Sequence, residues 1–103
     1  MNSVVLIGRL ARDPELNYTQ QQDPVANFTL AVNRTKEGAD FIRIIVFGKQ
    51  AENCDRYLSK GRQCAVHGRI QTGSYENRNG DTVYTTDVIA DRVEFLGGGQ
   101  ESP

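Results

Sequence analysis

The sequence predicts an all-β fold, a small barrel of five strands with one α-helix inserted between strands three and four. Three observations predict it. Apolar and polar residues alternate with period two along Val25 to Arg34 and Arg62 to Thr72, and Phe41 to Gly48 sorts into two faces of which only one carries a charge, Arg43. Only one segment, Gln50 to Lys60, carries helical spacing. Strands and helices do not alternate, which argues against a doubly wound parallel sheet.

The elements follow in order. Val4 to Leu10 is β-branched and aliphatic and fits a first strand. Asp13-Pro14 marks a turn, and Gln20 to Pro24 is a polar loop. In the second strand Ala26, Phe28, Leu30 and Val32 point one way, and Asn27, Thr29, Ala31 and Asn33 the other. Thr35 to Asp40 is a short connection. In the third strand Ile42, Ile44 and Val46 form a core stripe, which leaves Phe41, Arg43, Ile45 and Phe47 outside. Burial of both faces is the alternative. Arg43 argues against it, because an arginine is almost never buried without a partner.

The helix over Gln50 to Lys60 turns Ala51, Cys54 and Leu58 to one face, with Gly61 placed as its C-terminal cap. The fourth strand alternates Cys64, Val66, Gly68 and Ile70 against Ala65, His67 and Arg69. A loop from Thr72 to Asp81 holds the hairpin signal Asn79-Gly80 and carries Tyr75 and Arg78. Thr82 to Ala90 is the fifth strand, and Arg92 to Leu96 is its continuation or a short last strand. Residues 1–96 therefore make one domain, and 97–103, Gly-Gly-Gly-Gln-Glu-Ser-Pro, read as a flexible tail. Five strands with a helix between the third and fourth are the OB-fold arrangement.

Composition narrows the function. The chain has 103 residues, enough for one domain. Twelve Lys and Arg against thirteen Asp and Glu exclude gripping a polyanion by bulk charge, but not a basic face. No run approaches the roughly 18 apolar residues of a membrane span. The N-terminus lacks a signal-peptide pattern, so a cytoplasmic protein is expected. Cys54, Cys64 and the single His67 make a poor zinc set, and two reduced thiols are the simpler account. No P-loop, GxSxG or HExxH pattern is present, so no enzyme, metal or cofactor is expected.

OB folds commonly bind oligonucleotides across the second and third strands. Here that face offers Phe41, Arg43 and Phe47 above the small polar Asn27, Thr29 and Asn33. Arg34 and Lys36 lie in the connection, and Lys49 follows the third strand. Aromatic rings stack on any base while cations track phosphates, a combination suited to single strands. Phe41 and Phe47 could instead pack under a loop or in a subunit interface. Tyr75 could be a packing anchor, and Arg78 a solvated hairpin tip.

The chain resembles the bacterial single-stranded-DNA-binding proteins, the replication type that forms homotetramers of OB barrels. Matching stretches include Val-Val-Leu-Ile-Gly-Arg-Leu-Ala-Arg-Asp-Pro-Glu-Leu-Asn-Tyr at 4–18, Ala-Asn-Phe-Thr-Leu-Ala-Val-Asn-Arg at 26–34 and Phe-Ile-Arg-Ile-Ile-Val-Phe-Gly-Lys-Gln-Ala-Glu-Asn at 41–53. Others are Tyr-Leu-Ser-Lys-Gly at 57–61, Gly-Arg-Ile-Gln-Thr-Gly-Ser-Tyr at 68–75 and Tyr-Thr-Thr-Asp-Val at 84–88. The resemblance implies coating of single-stranded DNA in replication, recombination and repair, in the cytoplasm at the nucleoid. It implies stacking on Phe41, Phe47 and Tyr75, with Arg43 and Lys49 near the bound strand and assembly through the first strand. Many members carry another aromatic near the position of Lys36, which here is expected to meet phosphate. The chain has no Trp, so stacking area per base is expected to be smaller. The family's usual long tail with an acidic tip is missing from this sequence, which puts tail-mediated recruitment of replication and repair proteins in doubt. The alternative is a primosome-type adaptor that mainly binds replication proteins. The retained Phe41, Phe47 and Tyr75 disfavour it.

Overall fold

Alternation decides which residues enter the core. A computed structural model describes residues 1–96, and the tail expected at 97–103 lies outside the described residues. The elements are β1 Val4–Leu10, β2 Glu15–Tyr18, β3 Pro24–Asn33, β4 Ala39–Phe47, α1 Lys49–Tyr57, β5 Gln63–Glu76 and β6 Thr82–Leu96. Ala26, Phe28 and Leu30 of β3, Ile44 and Val46 of β4, and Cys64 and Val66 of β5 are buried together. Ala51, Cys54 and Leu58 close this core from the helix side. Each fully buried Leu, Ile or Val contributes on the order of 1.5–3 kcal/mol.

The six strands form one mixed sheet in the order β1-β5-β6-β4-β3-β2, with β1 also paired to β3. The sheet therefore curls until its first strand meets β3 as well as β5. All pairings are antiparallel except β4–β6, which is parallel. The expectation of five strands with the helix between the third and fourth is corrected on both counts. Glu15–Tyr18 is a strand, paired residue by residue with Asn27–Pro24. Its four residues are too few to show period two, so the sequence assigns them no element. With β2 counted, the helix lies between β4 and β5.

Several boundaries also differ. The helix ends at Tyr57 rather than Lys60, because Leu58 is already extended at φ −106 and ψ 148. Gly61, expected as the cap, serves instead in the turn where the Arg62 N–H donates to the Ser59 carbonyl. The hairpin strands run on to Glu76 and restart at Thr82, so Tyr75 rides on β5 and not on a loop. The connection is longer than a two-residue turn. Asn77 Oδ1 accepts the N–H groups of Asn79 and Asp81, and Gly80 takes the left-handed φ of 84. Arg92 to Leu96 continues β6.

Cys54 and Cys64 are free, buried thiols. Burial pushes Cys54 up to about 12, helped by the charge of Cys64, and pushes Cys64 up to about 11. Both are protonated at neutral pH and are poor nucleophiles. Among the described residues, no group of three or more His, Cys, Asp or Glu is placed to hold a metal ion. No helix among them is long and apolar enough to cross a membrane.

Close backbone approach shapes the curl at Gly68, beside the irregularity in the β5–β6 register. A Cβ there would overlap the Ile89 carbonyl oxygen, a backbone atom that cannot swing away. Gly68→Ala is therefore expected to cost about 1–3 kcal/mol, the usual range for overpacking. Urea unfolding measures this, and an unchanged midpoint would contradict the close approach.

Candidate functional site

The buried stripe of β4 holds its other face outward. Phe41 is 67% exposed and Phe47 54%, and Arg43 between them is exposed. The register with β3 sets Phe41 opposite Ala31, Arg43 opposite Thr29, Ile45 opposite Asn27 and Phe47 opposite Val25. The β3 residues are small or short and partly buried, so they form a floor beside the taller β4 side chains. Phe41 and Phe47 stand roughly 20 Å apart along the strand at about 3.3 Å per residue. They are two separate platforms, each open to a flat ligand.

Tyr75 joins this face through the register of three strands. Arg43 pairs with Asp87 of β6, and Asp87 with Gln71 of β5. Side chains at paired positions share a face, and so do residues two or four further along a strand. Tyr75 lies four residues from Gln71, paired with Val83. Because β4 and β6 run parallel, that direction leads to the Phe41 end of β4. Tyr75 is 57% exposed, so it is not a packing anchor within this chain.

The cations are placed unequally. Arg34 donates from Nε and Nη2 to Asp40 Oδ1 at 3.0 and 2.8 Å. That bond, and then the Asp40 charge, raise the guanidinium above its usual pKa. Arg34 is thus already engaged by a carboxylate. Lys36 is exposed in the β3–β4 connection, at the Phe41 end. Lys49 opens α1 at the Phe47 end, directly after Gly48. Gly48 has the left-handed φ of 76, which favours glycine over any residue with a Cβ. Its N–H donates to the Pro24 carbonyl at 2.9 Å, and its own carbonyl accepts from the Ala51 N–H at 2.8 Å. These bonds fix Phe47 and Lys49 on either side of the strand-to-helix junction. Arg78 is exposed in the hairpin turn, beyond Tyr75.

The structure thus brings Phe41, Arg43, Phe47 and Tyr75 to one face. Lys36 and Lys49 stand at its two ends, and Arg78 lies further out. Sequence reasoning missed three charged residues on the same surface. Asp87 sits beside Arg43. Arg9 pairs with Ala31 on the far side of β3, and Arg12 lines a shallow cleft with Asn27 and Thr29. The β1–β3 pairing is long-range, and no local pattern announces it.

The single-strand binding protein family matches residues 1–96. The chain is 57% identical over 102 residues to "Single-stranded DNA-binding protein 1" of Staphylococcus aureus strain Mu50, covering 93% of this chain and 65% of that protein. It is 52% identical over 102 residues to "Single-stranded DNA-binding protein 2" of the same strain, covering 93% of this chain and 72% of that protein. Similarity extends to the "Single-stranded DNA-binding protein" of Halalkalibacterium halodurans, at 55% identity, 93% of this chain and 61% of the relative. The chain spans 65% of the first relative's length, less than two thirds. With a match that runs through every element from β1 to β6, the chain belongs to the single-strand binding protein family.

Proposed function

We propose that the chain binds single-stranded DNA without sequence preference and protects it in replication, recombination and repair. The observation that carries this is the set of three exposed aromatics, Phe41, Phe47 and Tyr75, on one sheet face with cations around them. A single strand offers unpaired base faces, and any base stacks on an aromatic ring. Arg43, Lys36, Lys49 and Arg78 neutralise phosphates. Arg34 does so by sharing its guanidinium with Asp40. The names of the relatives agree with this reading. Such a protein works in the cytoplasm, at the nucleoid.

Magnitudes point to several copies on one strand. Each stack contributes about 1–3 kcal/mol, so three give on the order of 3–9 kcal/mol gross. Micromolar binding needs about 8 kcal/mol net, and linked copies gain by avidity. The first strand offers a surface for self-association. One edge of β1 pairs with β5 over Val4–Arg9, whereas the other meets β3 only at Arg9 and Leu10. Among the described residues the rest of that edge is unpaired, and Val5 and Ile7 beside it are 65% and 53% exposed. A homotetramer assembled through β1 covers them.

Two outcomes are expected. Phe47→Ala weakens binding to oligonucleotides of any base composition by about 1–3 kcal/mol; unchanged affinity in a fluorescence titration would remove Phe47 from the site. Light scattering on the wild type gives four times the chain mass, and Ile7→Lys gives a smaller species. A wild-type monomer would contradict assembly through β1.

A further inference from the structure

The floor of the binding face has two sides, and only the β4 side was expected from the sequence. Asn27, Thr29 and Ala31 of β3 are partly buried. On one side stand Phe41, Arg43 and Ile45. On the other stands the end of β1 and the segment after it. Arg9 is exposed and pairs with Ala31, so Arg9, Ala31 and Phe41 form one row. The Ala11 N–H donates to the Thr29 carbonyl at 2.8 Å, which brings Arg12 beside the row of Thr29 and Arg43.

The charges on that far side are available. Among the described residues the ion-paired cations are Arg34, Arg69 and Arg92, so neither Arg9 nor Arg12 is engaged by a carboxylate. Arg9 donates from Nη1 to the Gly61 carbonyl at 3.0 Å, which anchors the side chain and leaves its charge unanswered. Of the nearby acids, Asp13 lines the cleft with Arg12 and keeps its charge, but its Oδ1 is held by the Lys60 N–H at 2.8 Å and it makes no ion pair with Arg12 among the described residues. Glu15 stands opposite Asn27 and closes the trough to phosphate at that level. The open way across β3 is therefore at Thr29 and Ala31.

We propose that Arg9 and Arg12 form the far wall of this trough and hold phosphates there, so that the DNA crosses β3 as well as following β4. The proposal rests on the single-strand binding reading and extends its site by two residues. Arg43 and the Arg12 side lie about 10 Å apart, two strand spacings, which opposed arginines can span around one backbone.

The test is the salt dependence of oligo(dT) binding by the full chain. A lost phosphate contact lowers the log–log slope by about 0.7 for a single strand. Arg12→Gln should show that fall, so its deficit against the wild type narrows about 2.6-fold between 50 and 200 mM salt. Arg12→Lys should restore the slope, and Arg9→Gln should repeat the loss independently. An Arg12→Gln slope equal to the wild type, or a loss that Arg12→Lys does not restore, would overturn the far wall while leaving strand binding intact. A wild type that does not bind oligo(dT) would overturn the underlying reading and this one together. Matched thermal melts separate these effects from unfolding.

Discussion

Everything on the binding face depends on the inward stripe of β4. Ile44 and Val46 are wholly buried, and in a pleated strand the residues between buried ones must point out. Phe41 and Phe47 are exposed because their neighbours cannot be. Exposed aromatics in water are costly to retain, and apolar surface gathered on one face marks an interaction site. The register with β3 then supplies a low floor, and the parallel pairing with β6 brings the long β5–β6 hairpin to the same side. Turning β4 by one residue would exchange Ile42, Ile44 and Val46 for Phe41, Arg43 and Ile45. It would bury a charge and empty the site at once.

The charge pattern shows how a chain of net charge −1 still presents a basic face. Among the described residues, two of the three ion-paired arginines, Arg69 with Asp91 and Arg92 with Glu94, belong to β5 and β6. Arg43, Lys36 and Lys49 have no such pairing among the described residues and stand at or around the aromatic face. Local field and not net charge guides a ligand to a surface. Asp87 beside Arg43 and Glu15 beside Asn27 limit where a phosphate can sit, so acids shape the path as much as bases attract it.

Much of this was legible in the sequence where short-range periodicity set the structure. The faces of β3 and β4 follow from alternation, and the exposed pair of phenylalanines with Arg43 between them follows from those faces. What depended on length or on distant pairing was not legible. Glu15–Tyr18 owes its strand character to β3 and not to its own four residues. Tyr75 reads as a loop residue because Gln71 to Glu76 is polar on both faces, a pattern that gives no inward stripe to read. Leu58 leaves the helix although its spacing fits the apolar face, since it reaches the core from extended backbone. Arg9 and Arg12 entered the face only through the β1–β3 contact, which joins residues some twenty positions apart.

Single-strand recognition is tested most directly by titrating the chain with fluorescent oligo(dT), a duplex of equal length and a single-stranded RNA at two salt concentrations. Stacking on Phe41, Phe47 and Tyr75 needs unpaired bases, which a duplex does not present. Tight, salt-sensitive binding to oligo(dT) with weak duplex binding is the predicted result. Binding to oligo(dT) no tighter than to the duplex would contradict it and assign the aromatic face to another partner.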